Sequence, residues 1–236
     1  MERLQKVIAN SGYCSRRKAE ELILQKKVSV NGQVVTELGT KISGDDVVEI
    51  DGQMLNLNHD KVYYLLNKPR GVISSSKDEK GRTTVVDLIN CNQRIYPVGR
   101  LDYDTTGLII LTNDGELANK LMHPRNNIPK TYLAKLAGII DKETIDKLKK
   151  GVVVDGRKVK IIDFKIKKKD LQKETTYISI TIIEGRNHII KNLFKELGYL
   201  VDKLTRTHID FLEIGNLGSG EYRVLSTKEV KRLYSK

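Results

Sequence analysis

Gly99-Arg100-Leu101-Asp102-Tyr103-Asp104-Thr105-Thr106-Gly107 runs without a break into Leu108-Ile109-Ile110-Leu111-Thr112-Asn113-Asp114-Gly115. Two glycines bound a polar turn that carries two carboxylates and an arginine. The run Leu108 to Leu111 has no polar member, so it reads as a buried strand. A polar turn fed directly into such a strand is anchored by the core, a common setting for a catalytic group.

The patterning on either side of this stretch is mixed. Leu4, Val7 and Ile8 recur at helical spacing and Gly12 ends that helix. Ser15 caps a second helix with Ala19, Leu22 and Ile23 on one side. Asn31-Gly32 between two β-branched runs is a strong hairpin signal. Asp46 to Ile50 supplies another strand. Residues 54–61 are polar and weakly patterned and read as a linker. Beyond it, strands are expected over Val62–Asn67, Ile95–Val98, 108–112 and Lys130–Ala137. Two or three more lie in 157–183, and further ones near Lys203–Ile209 and Tyr222–Leu225. Helices are expected over Asp114–Met122, Asp141–Lys150 and His188–Leu197, and a short one closes the chain. Tyr177, Ser179 and Thr181 alternate with Ile178, Ile180 and Ile182, which buries one face of their strand. Strands and helices without a regular βαβ alternation place the chain in the α+β class. The reading is a small module of two helices and a few strands over 1–53, then a larger domain over 62–236 built on a mixed, largely antiparallel sheet.

At 236 residues the chain has ample material for a core. Its formal net charge of +12 points to a polyanionic partner. Residues 1–30 hold seven Lys and Arg against three acids, and residues 121–180 hold fifteen against seven, whereas 31–60 is acidic. Lys165-Ile166-Lys167-Lys168-Lys169 is a local basic cluster. Cys14 and Cys91 make no disulfide framework. His59, His123, His188 and His208 stand at no metal-ligand spacing, so no metal and no cofactor are expected. No apolar run is long enough to span a membrane, and the N-terminus lacks a signal-peptide core, so the cytoplasm is the expected location.

Ser15-Arg16-Arg17-Lys18-Ala19-Glu20-Glu21-Leu22-Ile23 with Val28-Ser29-Val30-Asn31-Gly32 resembles the S4 RNA-binding domain. Arg3, Lys6, Arg16, Arg17, Lys18 and Lys27 can form one basic face for phosphates, which supplies affinity more than sequence discrimination. From Tyr63 onward the chain resembles the RsuA/RluB family of ribosomal RNA pseudouridine synthases, closest to its RluB-like branch. The resemblance is carried by Lys68-Pro69-Arg70-Gly71-Val72, the turn at 99–107, Thr112-Asn113-Asp114-Gly115-Glu116-Leu117-Ala118, His123-Pro124-Arg125, Lys130-Thr131-Tyr132 and Glu184-Gly185-Arg186-Asn187-His188.

The resemblance implies isomerisation of a uridine in ribosomal RNA to pseudouridine. Uracil leaves C1′, turns, and rejoins through C5, which then loses its proton. Such chemistry needs an ionised carboxylate beside the sugar, either to attack C1′ or to take the C2′ proton. It also needs the base extruded from its stack. By resemblance Asp102 is that carboxylate, within a turn opened by Gly99. Arg100 fills the gap left by the base or binds its phosphate. Tyr132 stacks on the uracil. Lys191 pairs with Asp102 and keeps it ionised. Leu204 lines the base pocket. Asp104 is read as a residue bonding the turn. The family shows a Gln and consecutive basic residues where this chain has Ile189-Ile190-Lys191-Asn192, so one charge remains there.

Large-subunit 23S RNA is the favoured substrate, and small-subunit 16S RNA is the alternative. A non-catalytic S4-type factor bound to ribosomal RNA or an assembly particle is a third reading, which the intact Arg100-Leu101-Asp102 with Tyr132 argues against. The chain is expected to be a monomer with no membrane partner.

Overall fold

In the computed structural model, residues 1–57 and 60–235 are described. Asn58 and His59, which fall in the stretch read as linker, and Lys236 lie outside the described residues. The chain divides into two compact units. One is Met1–Val62 with Cys91–Ile95 and Asn113–Gly115; the other comprises Tyr63–Asn90, Tyr96–Thr112 and Glu116–Lys236.

The first unit opens with strand β1 (Glu2–Arg3), helix α1 (Leu4–Asn10) and helix α2 (Arg16–Leu24). The Ser15 hydroxyl accepts from the Lys18 N–H at 3.1 Å and satisfies one of the helix's unpaired donors. Strands β2 (Val28–Val30) and β3 (Gln33–Val34) form the hairpin expected at Asn31-Gly32. Both turn residues have positive φ, 51° and 76°, as a two-residue hairpin of primed type requires. Strand β4 (Lys41–Ile42) pairs with β1, and β5 (Val48–Ile50) with β2. Strand β6 (Gln53–Met54), at the start of the polar stretch, pairs with β5. Leu4, Ile8, Ala19, Ile23, Val28 and Ile50 are among the side chains of its core.

The second unit is built on a sheet that, among the described residues, has nine strands. Its first strands are β7 (Tyr63–Lys68), β8 (Tyr96–Val98) and β9 (Thr106–Thr112), followed by helix α3 (Gly115–Met122) and β10 (Lys130–Ala137). Helix α4 (Lys142–Lys150) is capped by Asp141, and the small hairpin of β11 (Val153–Val154) and β12 (Arg157–Lys158) follows. Strands β13 (Ile161–Asp170) and β14 (Thr175–Ile182) come next, then helix α5 (Ile189–Glu196) and β15 (Val201–Ile209). Strands β16 (Leu212–Glu213) and β17 (Tyr222–Val224) and helix α6 (Thr227–Tyr234) complete it. The order is β13-β14-β10-β15-β9-β7-β17, with β16 beside β15 and β8 beside β9. Every pairing is antiparallel except β15 with β9. This is the mixed, largely antiparallel α+β architecture that the pattern implies. No helix among the described residues is long and apolar enough to cross a membrane.

Strand β9 begins two residues earlier than Leu108, and the reason is Gly107. At the parallel junction Arg206 pairs with Gly107, whose φ is +107°. A Cβ there would lie 2.7 Å from the Arg206 backbone nitrogen and closer still to its carbonyl oxygen. Only glycine permits this approach. It closes β9 onto β15, and with them the turn that enters β9. Gly107→Ala is therefore expected to destabilise the protein by at least about 3 kcal/mol, from backbone strain added to a main-chain clash. Denaturant unfolding checks this; a change below about 1 kcal/mol would show that the junction relaxes.

Candidate active site

The turn before β9 is tied down from below by the segment that follows β7. The Ser74 hydroxyl donates to the Leu101 carbonyl at 2.8 Å and accepts the Leu101 N–H at 3.0 Å. The Gly71 N–H donates to the Tyr103 carbonyl at 2.8 Å. Lys68 is fully buried, and its ammonium donates to the carbonyls of Thr105 at 2.9 Å and Pro69 at 3.0 Å. Burial pushes its pKa down to about 8, against the pull of the Asp102 and Asp104 carboxylates. Within the turn the Thr105 N–H bonds the Asp102 carbonyl at 3.1 Å. The Lys-Pro-Arg-Gly motif is thus the support on which the Asp102 loop rests.

Asp102 meets one cation from helix α5 and the imidazole of the residue that caps it. One carboxylate oxygen is 3.1 Å from the Lys191 ammonium and the other 3.3 Å from His188 Nε2. Lys191 also lies 2.7 Å from Asp104. Asp102 and Lys191 are each about three-quarters buried (28% and 25% exposed), enough to weaken the screening of their attraction by water. Burial draws the Lys191 pKa down, but hydrogen bonds to Asp104 and Asp102 outweigh it and hold it above the ordinary lysine value. The Lys191 hydrogen bond is likewise the main reason that Asp104 is held below the usual carboxylate range. Asp104, expected to bond the turn, also shares the ammonium that faces Asp102.

Helix α5 can present these groups because its other face is apolar: Ile189, Ile190, Leu193 and Phe194 are buried. The loop before it is pinned by Arg186, which bonds Glu184 and the Val154 carbonyl. His188 turns the chain into the helix with a left-handed φ of 52° and without a side-chain cap bond. The sequence offered one signal for its role, the three-residue spacing that puts His188 and Lys191 on one helical face.

These groups border a cavity of about 830 Å³. Gly99, Arg100, Asp102, Tyr132 and Leu204 all line it, and Lys191 reaches it through Asp102. Arg100 is exposed and makes no ion pair among the described residues, so its guanidinium is available. Tyr132, 8% exposed on β10, and Leu204, 6% exposed on β15, form part of its wall. The sequence reading did not single out two cations of the same cavity, Lys130 and Arg206. In the first unit Arg3, Arg16, Arg17, Lys18 and Lys27 are exposed and Lys6 is half-buried. Lys6 pairs with Glu2, Lys18 with Glu21 and Lys27 with Asp51, whereas Arg3, Arg16 and Arg17 have no ion pair among the described residues.

The arrangement provides a shielded carboxylate beside a lysine, a tyrosine in the wall and an exposed arginine at one cavity. Replacing Lys191 by Gln is expected to slow the single-turnover rate on RNA about 100-fold and leave RNA affinity within about threefold, with Lys191→Arg retaining most of the rate. Equal losses in the Gln and Arg variants would show that charge at this position is not what matters.

Residues 62–196 match the RNA pseudouridylate synthase family and residues 2–48 the S4 domain. Ribosomal large subunit pseudouridine synthase B of Bacillus subtilis (strain 168) is 52% identical over 234 residues, 99% of this chain and 96% of that protein. Dual-specificity RNA pseudouridine synthase RluF of Escherichia coli O157:H7 is 37% identical over 235 residues, 98% of this chain and 78% of that one. A crystal structure of a pseudouridylate synthase superimposes with a TM-score of 0.68 at 31% identity, covering 99% of this chain and 100% of that chain.

Proposed function

The chain belongs to the RNA pseudouridylate synthase family and carries an S4 domain, and from that premise we propose that it converts a specific uridine of large-subunit ribosomal RNA to pseudouridine in the cytoplasm, with Asp102 as the catalytic carboxylate. The observation that carries the assignment of Asp102 is its pairing with Lys191 at the edge of a cavity that Tyr132 and Arg100 also line. The preference for the large subunit rests on the similarity to the Bacillus subtilis enzyme over nearly the whole of both chains.

In this reading the target uridine swings out of the RNA into the cavity. Arg100 takes the space or the phosphate it leaves behind, and Tyr132 stacks on the uracil. The Asp102 carboxylate, neutralised in part by Lys191, attacks C1′ or removes the C2′ proton. The N1–C1′ bond breaks with its electron pair going to uracil. The base turns and C5 bonds to C1′, displacing the Asp102 oxygen in the first route or with Asp102 returning the proton to C2′ in the second; the C5 proton is then lost and N1 gains one. The two routes share the same groups. The expected division runs between an RNA-binding module over 1–53 and a catalytic domain over 62–236, joined through 54–61. Arg3, Lys6, Arg16, Arg17, Lys18 and Lys27 supply phosphate contacts, with Arg3, Arg16 and Arg17 the most available.

Purified protein is expected to form pseudouridine at one site in unmodified 23S RNA and none in 16S RNA, read by carbodiimide adducts that stop reverse transcriptase. With Arg16 and Arg17 both changed to Ala, the slope of log affinity against log salt should fall by about 1.4 to 1.8, and the chemical step should stay unchanged. Modification confined to 16S RNA, or an unaltered salt slope, would overturn the corresponding part of the proposal.

A further inference from the structure

The cavity is lined by cations other than the one that faces its carboxylate. Asp102 is already paired with Lys191, and His188 faces its other oxygen. Arg206 and Lys130 nevertheless line the same cavity. Arg206 is 3% exposed, and its head is held in place by a 2.7 Å bond from Nε to the Leu108 carbonyl. Its Nη2 is buried with no partner. Arg206 stands opposite Tyr132 in the β10–β15 register, so both side chains project from the same face of the sheet. Lys130 bonds only the Ile128 carbonyl, at 3.3 Å, and neither cation has a carboxylate partner among the described residues. Burial pushes the Lys130 pKa down to about 8, and the neighbouring Arg206 charge adds to that shift. A buried guanidinium beside a half-buried ammonium, with no anion between them, is costly in a folded protein, and so is an unsatisfied guanidinium donor. A bound group that brings negative charge to this place relieves both.

We infer that Arg206, assisted by Lys130, receives the negative charge that develops on uracil as it detaches from C1′. When N1–C1′ breaks, the bonding pair leaves with the base and its charge spreads onto O2 and O4. The Arg206 guanidinium donates to one of these oxygens beside the Tyr132 ring, while Asp102 deals with the sugar. When C5 bonds to C1′ the base spends this charge in the new bond and is neutral again, and the later loss of the C5 proton is balanced by protonation of N1. The donor is already in place before the reaction, so it strengthens as the charge appears and needs no reorganisation. Arg206 is in this account a catalytic residue, and the inference rests on the functional reading above.

The test compares RNA containing uridine with RNA containing 5-fluorouridine under single-turnover conditions, following loss of the starting nucleoside. Fluorine makes the departing uracil a weaker base, so it needs less help to leave. Arg206→Gln is expected to lose about 100-fold in rate on uridine RNA and about tenfold or less on 5-fluorouridine RNA, with RNA affinity and salt slope unchanged. Arg206→Lys, which keeps the charge, should lose less on both. Should Arg206→Gln fail to fold, Lys130→Gln gives the same comparison with a smaller loss. An equal deficit on both RNAs would overturn the inference. Weaker RNA binding with a shallower salt slope and a normal chemical step would overturn it in favour of a phosphate contact. Wild-type protein inactive on every ribosomal RNA would remove the functional reading itself, an outcome distinct from active wild type with indifferent variants.

Discussion

An ammonium held between two carboxylates organises the catalytic unit. Lys191 sits 3.1 Å from Asp102 and 2.7 Å from Asp104, and so joins helix α5 to the turn that enters β9. Its position depends on the rest of the fold. The apolar face of α5 fixes the helix, and Gly107 allows β9 to close onto β15. Ser74, Gly71 and Lys68 hold the loop in between. A carboxylate in a low-dielectric cleft keeps its charge only where an opposite charge and fixed geometry offset its desolvation. The buried sheet supplies the geometry and Lys191 the charge.

The cavity divides its charges by task. In the proposed reaction Asp102, with Lys191 and His188 beside it, serves the sugar end. Arg206 and Lys130 have no carboxylate partner among the described residues, and in the inference drawn above they meet the charge that the base gains. Tyr132, opposite Arg206 in register, borders both groups. This separation suits a reaction that breaks a carbon–nitrogen bond without an external acid: positive character grows on the ribose and negative character on the base.

Much of this was legible in the sequence because it is local. The Asn31-Gly32 hairpin follows from backbone preference, and the alternation over 177–182 gives the buried face of β14 directly. The Gly-bounded turn and the apolar run after it placed Asp102 at the root of a core strand. What remained hidden depends on pairings between distant residues. Arginine and lysine are read as surface groups, so nothing marked Arg206 or Lys68 as buried. Gly107 looked like a turn glycine until the parallel β9–β15 pairing showed why a side chain cannot fit. His188 was passed over as one histidine among four; its value comes from the helix that starts beside it and from a loop 86 positions earlier in the chain, at Asp102.

The central claim is that Asp102 performs the isomerisation. Tritium release from ribosomal RNA labelled at C5 of uridine tests it most directly, because only replacement at C5 frees the label. The account predicts release by the wild-type protein and none by Asp102→Asn, with RNA affinity of the variant within about threefold of wild type. Release by Asp102→Asn at a rate near that of wild type would contradict it, and would leave Asp102 as a residue that shapes the turn while another group carries the chemistry.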